Sequence, residues 1–331
     1  MFTFKADKLN TDEILGEGSH GKIYAYQKTP QDVKWVVKHI HASDTNSLLK
    51  IFPEIVLGFA CDHPAVLPVR GYHIEKRPGK LKDFEVYIKL PRMKLTLQEK
   101  IKERKRSNKP FSEKEIVTAF YTIACGIEYL HNRRIVHGDI KPSNVLLDEK
   151  GAIKLSDAGI AKFIADDETM YTASDNGGTI QYLAPELLVQ GQQIKKKDLY
   201  KADAWSLGVT MLRLCLLENN ILNASMSQSK LEGSIRELLQ RVEGLYNSDL
   251  TNSLRGLLEY DCTQRDSIDK VRDRLENNYC EILGRDLIMS LTPSPKVVAA
   301  QDLENEREEK KKLAEIIQNL EQSKVIYEEW S

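Results

Sequence analysis

The sequence predicts an α+β fold of two lobes, a small β-rich N-terminal lobe with one main helix and a larger helical C-terminal lobe. Three observations predict it. The first 90 residues alternate apolar and polar positions around turn residues, with a single helical stretch among them. After Pro91 the spacing of apolar residues becomes that of amphipathic helices. The chain is 331 residues long, enough for two lobes with a sizeable core.

In order, DEILGEGSHGKIYAYQ and KWVVKHI read as strands around a glycine-rich turn, with Ile23, Ala25, Trp35 and Val37 on half-buried faces. TNSLLKIFPEIVLGFAC is the one N-terminal helix. Pro53 interrupts it, which suits a shorter helix with the proline in its first turn. VLPVRGYHI and FEVYIKL are two more strands, with RPGK between them as a turn. TLQEKIKERK and SEKEIVTAFYTIACGIEYLHNRR are amphipathic helices, and Ser112 with Glu115 forms a capping box at the start of the second. LYKADAWSLGVTMLRLCLL is apolar almost all round, as a helix at the centre of a lobe would be. SLTPSPK marks a linker, and beyond it Leu313, Ile317, Leu320 and Tyr327 fall near heptad spacing in a tail helix. The expected divisions are 1–90, 91–289 and 290–331.

Composition narrows the class of function. Hydrophobic residues are 41% and charged residues 29%, ordinary for a soluble globular protein, and the formal net charge of −1 gives no sign of nucleic-acid or anionic-membrane binding. Five cysteines stand singly with no C-x-x-C pair, so a disulfide framework or structural zinc is not expected. The first residues carry no apolar signal region, and no run of about 18 apolar residues is present. The expectation is a cytoplasmic protein, with the nucleus as the alternative.

Four stretches carry chemistry. Gly16, Glu17, Gly18, Ser19, His20 and Gly21 form G-x-G-x-x-G, followed by Ile23. With β-like sequence on both sides, a hairpin over a phosphate fits better than a dinucleotide fold, and a plain tight hairpin is the other reading. Lys38 follows Val36 and Val37. Buried there, it needs a partner, which Glu54 on the helix could supply; otherwise it is a surface lysine on an edge strand. IVHGDIKPSNVLL places Asp139, Lys141 and Asn144 between two apolar runs. An aspartate can orient or deprotonate a hydroxyl, a lysine can neutralise a transferring phosphoryl group, and an asparagine offers magnesium a neutral oxygen. Lastly, Asp157 in LSDAG, beside a glycine after a short strand, can chelate a metal.

In order and spacing these stretches resemble a eukaryotic-type Ser/Thr protein kinase across residues 10–285. His63-Pro64, Ala184-Pro185-Glu186, Asp203-Ala-Trp205-Ser206-Leu-Gly208 and Arg265, the expected partner of Glu186, strengthen it. The resemblance implies the two-lobed kinase-like fold, with ATP and Mg2+ (or Mn2+) as cofactors and protein substrates. It implies that Lys38 holds the ATP phosphates and pairs with Glu54, and that Asp139 acts as base or hydroxyl-orienting group. Lys141 would contact the γ-phosphate, and Asn144 and Asp157 would bind the metal. The glycine-rich residues 16–21 would cover the phosphates. Ile23, Val36 and Leu146 would contact adenine, with Leu90 as gatekeeper and Pro91, Arg92 and Met93 as hinge. Asp139 with Lys141, and Thr179 bracing both, resemble Ser/Thr rather than Tyr kinases.

The chain departs from the family at several places. Gly138 stands where most kinases have the arginine that receives an activation-segment phosphate, so activity independent of such phosphorylation is expected. Gly58 and Ala158 replace two large apolar residues of the stack that locks active kinases. Leu57, Val69 or Phe59 are candidates to fill the gap. Val36 is larger than the usual alanine, and Pro91 removes a hinge N–H. These changes keep a second reading open, a nucleotide-binding pseudokinase acting as scaffold or switch. A small-molecule kinase of similar fold is a third, against which Ala184-Pro185-Glu186 speaks. The basic loop at Lys102, Arg104, Lys105, Arg106 and Lys109 reads as a solvated surface or a dock for an acidic partner. The tail helix is a candidate for self-association or for packing on the body or a partner.

Overall fold

A computed structural model describes residues 9–18, 21–26, 34–77, 83–157, 162–163, 179–189, 196–219 and 221–292. These fall into two compact units. One takes in residues up to Asp62 and Leu67–Arg92; the other takes in His63–Val66 and Met93–Pro293. The expected tail helix, Ser19, His20, Ala158 and the hydroxyls of Thr169, Tyr171, Thr172 and Ser174 lie outside the described residues. Among the described residues no helix is long and apolar enough to cross a membrane.

The first unit is an antiparallel sheet of β1 (Leu9–Gly18), β2 (Gly21–Tyr26), β3 (Trp35–Ala42), β4 (Gly71–Lys76) and β5 (Phe84–Pro91), with α1 (Thr45–Ala60) packed against β3. The strand order is β1-β2-β3-β5-β4. Strand β3 is the middle strand, and Val36, Val37 and Lys38 are buried in succession instead of alternating, so both faces are covered at these three positions, while His39 and Ile40 are half-buried and His41 is exposed. VLPVRGYHI becomes a strand only from Gly71. Before it, Val69 N–H donates to the Gly58 carbonyl at 2.9 Å, and Pro68 has no N–H to give a ladder.

Helix α1 corrects one expectation. It starts at Thr45, after Asp44 accepts from the Ser47 amide at 2.7 Å, and runs through Pro53 without a break. The hydrogen bond forfeited would end on the Leu49 carbonyl. Leu49 is exposed, so water can replace it, while burial of Leu48, Ile51, Phe52 and Ile55 holds the helix together. Gly58 leaves no gap. A Cβ built on it would lie 2.1 Å from Val69 Cγ2, so the valine occupies the space that a larger helix residue would take.

The second unit is mainly helical: α2 (Leu97–Arg106), α3 (Glu113–His131), α4 (Lys196–Leu216), α5 (Gln228–Glu243), α6 (Ser248–Leu257), α7 (Ile268–Leu283) and α8 (Arg285–Leu291). Short strands complete it: β6 (Leu95–Thr96), β7 (Ile135–Val136), β8 (Val145–Leu147), β9 (Ile153–Leu155) and β10 (Lys162–Phe163). These pair as β6-β8-β9 and β10-β7. The Ser112–Glu115 capping box opens α3, with Glu115 accepting from the Ser112 amide at 2.8 Å. A second box, Thr96 with Glu99, opens α2. Helix α4 lies at the centre, with Trp205, Leu207, Met211, Leu212 and Leu214 all buried, which accounts for its apolar circumference.

The fit at Gly58 yields a test. Gly58→Leu should overpack α1 against Val69 and lower stability by about 1–3 kcal/mol. Gly58→Leu with Val69→Ala should recover part of that loss in denaturant unfolding, because the two sites share one volume. Additive losses would show that the space is not shared.

Candidate active site

The loop from Ile135 to Leu147 leaves strand β7, turns through His137, Gly138 and Asp139, and re-enters as β8. Its shape comes from α4. The buried Asp203 carboxylate accepts the His137 amide through Oδ2 and the Gly138 amide through Oδ1, both at 2.9 Å. To present two successive amides to one carboxylate the chain passes through φ +78° at Gly138. Glycine adopts that conformation freely, whereas a side chain there adds strain of about 1 kcal/mol. The His137 ring spans the next gap. Its Nδ1 accepts from the Asp139 amide at 3.3 Å, which makes Nε2 the donor to the Ser156 carbonyl at 3.1 Å.

Asp139 is 3% exposed and fully engaged. Lys141 Nζ lies 2.6 Å from Oδ2. Asn144 Nδ2 donates to Oδ2 and to the Asp139 carbonyl, each at 2.9 Å. Thr179 donates to Oδ1 from its amide at 3.2 Å and its hydroxyl at 3.1 Å, and Lys141 Nζ donates to Thr179 Oγ1 at 2.7 Å. Burial pushes the Asp139 carboxyl up. The hydrogen bond and charge of Lys141, with the two Thr179 donors, more than offset this and hold it below the usual aspartate value. The group is therefore an anion with little appetite for a proton at neutral pH.

Both nitrogen donors of Asn144 are directed at Asp139, which leaves Oδ1 as its acceptor. The Asn144 carbonyl accepts from the Ser156 amide at 2.9 Å, tying it to the residue before Asp157. Asp157 is half-buried with φ +57°, an uncommon conformation for a residue with a side chain and one that clusters at functional sites. An amide oxygen and one carboxylate suit a hard dication that keeps other oxygen ligands. Among the described residues no group of three or more His, Cys, Asp or Glu could hold a metal by itself.

In the first unit Lys38 is buried and pairs with Glu54, Nζ to Oε1 at 2.8 Å and to Oε2 at 3.0 Å. Burial of both groups makes this pair the condition for a lysine on β3. Gly16, Glu17, Gly18 and Gly21 sit on the β1–β2 hairpin, with Gly18 facing Gly21 in the ladder. Gly21 has φ +120°, and a Cβ there would meet the His39 carbonyl oxygen at 2.2 Å. In the first unit's ladder Val36 pairs with Ala25 and Leu90, all three buried, while Ile23 is half-buried. Strand β5 extends to Pro91 opposite Trp35, and exposed Arg92 donates its amide to the Lys34 carbonyl. In the second unit Leu146 and Met93 are half-buried.

Residues 9–275 match the family model described as a protein kinase domain. The chain belongs to the protein kinase family. It is 30% identical over 202 residues to serine/threonine-protein kinase pakH of Dictyostelium discoideum, covering 61% of this chain and 36% of that protein. It is 30% identical over 216 residues to human mitogen-activated protein kinase kinase kinase 5, covering 64% of this chain and 15% of that protein. It is 28% identical over 270 residues to the probable serine/threonine-protein kinase nek3 of D. discoideum, covering 80% and 23%. The chain thus spans about a third or less of the length of these relatives.

In this kinase Arg265 pairs with Glu186, as its sequence suggests. Nη1 and Nη2 donate to the two carboxylate oxygens at 2.7 and 3.0 Å. The other donors reach the carbonyls of Glu259, Lys201 and Tyr260, so all five N–H groups are used. Asp203 and Ser156 are working residues that the sequence reading passed over. Asp203 enters the sequence reading only as part of the Asp203–Gly208 motif, and it lies well inside α4. An aspartate in a helix apolar all round is the signal that could have found it, because such a charge must be fully bonded.

Two outcomes follow. Arg265→Lys keeps the charge and loses most of the fork, and should lower unfolding free energy by about 2 kcal/mol through stranded acceptors. Second, a carboxyl held below the ordinary aspartate value stabilises the fold above that value and loses the contribution as pH falls through its folded value. Urea titrations from about pH 3 to 6 should show a shallower acid slope in Asp139→Asn than in the parent; an unchanged slope would contradict the network described.

Proposed function

We propose that this chain is an active Ser/Thr protein kinase that transfers the γ-phosphoryl group of ATP to protein hydroxyls without needing phosphorylation of the segment between Asp157 and Glu186. The observation that carries the reading is the Asp139–Lys141–Asn144–Thr179 network, in which every polar group has the partner its role requires. Asp139 accepts the hydrogen of the substrate hydroxyl and aims its oxygen at phosphorus. Lys141, already bonded to Asp139 and Thr179, offers its remaining N–H to the transferring group. Lys38, fixed by Glu54, binds non-transferred phosphate oxygens. Asn144 Oδ1 and Asp157 would hold Mg2+, which when bound neutralises charge on the phosphates.

Gly138 supports independence from phosphorylation. It has no side chain to receive a phosphate, and its amide is already tied to Asp203, so the loop holds its shape from within α4. The Lys38–Glu54 pair is likewise formed with Val69 filling the space at Gly58. The rival reading, a nucleotide-binding pseudokinase, draws support from the replacements at Ala158 and Pro91. Cytoplasmic residence is part of the proposal and rests on composition alone.

The deciding assay is phosphate transfer from labelled ATP and Mg2+ to a generic Ser/Thr substrate. The parent should transfer phosphate, and Asp139→Asn should lose at least about a hundredfold in rate. Nucleotide binding without transfer by the parent would favour the pseudokinase. Alanine at Thr169, Tyr171, Thr172 and Ser174 together should leave most of the activity. Its loss would refute independence from phosphorylation.

A further inference from the structure

Thr292 stands one residue past the end of α8, exposed, with an extended backbone at φ −89° and ψ 108°. Pro293 follows it, and the residue before a proline is held extended in this way. Thr29 and Ser294 also precede prolines, but among the described residues Thr292 is the one serine or threonine that does. Its hydroxyl donates to the Ile288 carbonyl at 2.8 Å, and its amide donates to the same oxygen at 3.0 Å. Thr292 therefore closes the last turn of α8. Helix ends fray, so opening that single turn presents an extended Thr-Pro to another enzyme.

What lies beside Thr292 gives a modification there a consequence. Leu291 is buried, and its carbonyl accepts from His63 Nε2 at 3.0 Å. The buried His63 ring accepts the Ala65 amide through Nδ1 at 3.2 Å and stacks on Tyr129, with ring centres 4.8 Å apart. The Ala65 carbonyl accepts the Leu155 amide at 2.7 Å, and Val66 bridges to Leu155. Leu155 ends β9, two residues before Asp157. One line of hydrogen bonds thus runs from the end of α8 to the strand that leads into Asp157. A phosphate on Thr292 Oγ1 removes the donor to Ile288. It also sets about two negative charges against the carbonyl end of a helix, where the dipole is already negative. No basic residue stands in the last turn of α8 to receive that charge.

We propose that Thr292 is a phosphorylation site for a proline-directed Ser/Thr kinase, and that its phosphate unfastens the end of α8 from His63 and loosens the brace at Leu155. Pro293 has no N–H, so the acceptor fits an enzyme that asks for no backbone donor at the next residue. Thr292 Oγ1 attacks the γ-phosphorus of ATP held by that enzyme. The new O–P bond forms as the bond to the β–γ bridging oxygen breaks, ADP leaves, and the hydroxyl proton passes through the enzyme's carboxylate to solvent. The proposal does not depend on transfer by this chain.

The test uses the full parent chain and its Asp139→Asn variant, so that any label the chain adds to itself is recognised. Each would be incubated with ATP, Mg2+ and, separately, a cyclin-dependent and a mitogen-activated proline-directed kinase, beside a blank without added kinase. Phosphosites would be mapped by mass spectrometry. Thr292 should carry phosphate, and Pro293→Ala should slow its incorporation at least about tenfold. On the phosphorylated chain, hydrogen exchange should quicken roughly tenfold at the amides of Thr292 and Leu155. Unphosphorylated Thr292→Val should change less, because it loses the hydroxyl without gaining the charge. Phosphate on Ser294 or Thr29 but not on Thr292 with both kinases, or no phosphate at all, would overturn the site. Phosphorylated Thr292 with unchanged exchange at Leu155 would overturn the brace, and an equal change in Thr292→Val would overturn the role of the charge.

Discussion

The shape of the loop from Ile135 to Leu147 depends on one buried carboxylate. Asp203 is 1% exposed in the middle of an apolar helix, and it is tolerable there only because its oxygens are occupied. It collects the amides of His137 and Gly138 and the His131 ring. Two consecutive amides aimed at one anion dictate the turn, and the turn dictates where Asp139 stands. A buried helix of the second unit thereby sets the geometry of this loop. Because α4 is packed on all sides, the loop inherits its precision from a helix that has no room to move.

From that anchor the polarity runs outward in a closed chain. Asp203 fixes His137, His137 ties Asp139 to Ser156, Ser156 ties back to Asn144, and Asn144 returns to Asp139. Lys141 and Thr179 close a second loop on the same carboxylate. Such a network is worth more than its separate bonds only when every member is satisfied, and here the partners account for both Asp139 oxygens. The result is a carboxylate that stays ionised although buried. It suits a reaction whose transition state needs alignment and charge balance more than a strong base.

Much of this was legible in the sequence because the physics is local. Asp139, Lys141 and Asn144 lie within six residues, and the Ser112–Glu115 box is a short-range signal that the fold honours. The Lys38–Glu54 pair was half legible: a lysine among valines demands a partner if it is buried, but only the structure shows that its strand is the middle one and not an edge. What could not be read was long-range volume and long-range charge. Pro53 looked like a helix boundary because propensity is local, and burial on either side overrode it. The occupant of the space at Gly58 depends on how the chain returns at Val69, which spacing alone does not say. Asp203 lies far along the chain from the loop it holds, so only the fold shows what its charge does.

One buried arginine of the second unit makes that distinction concrete. Arg265 spends all five donors, two of them on a carboxylate, and stacks its guanidinium 5.0 Å from the Trp205 ring. Nothing is left over for a ligand, and its role ends with holding Glu186 and the turn after it.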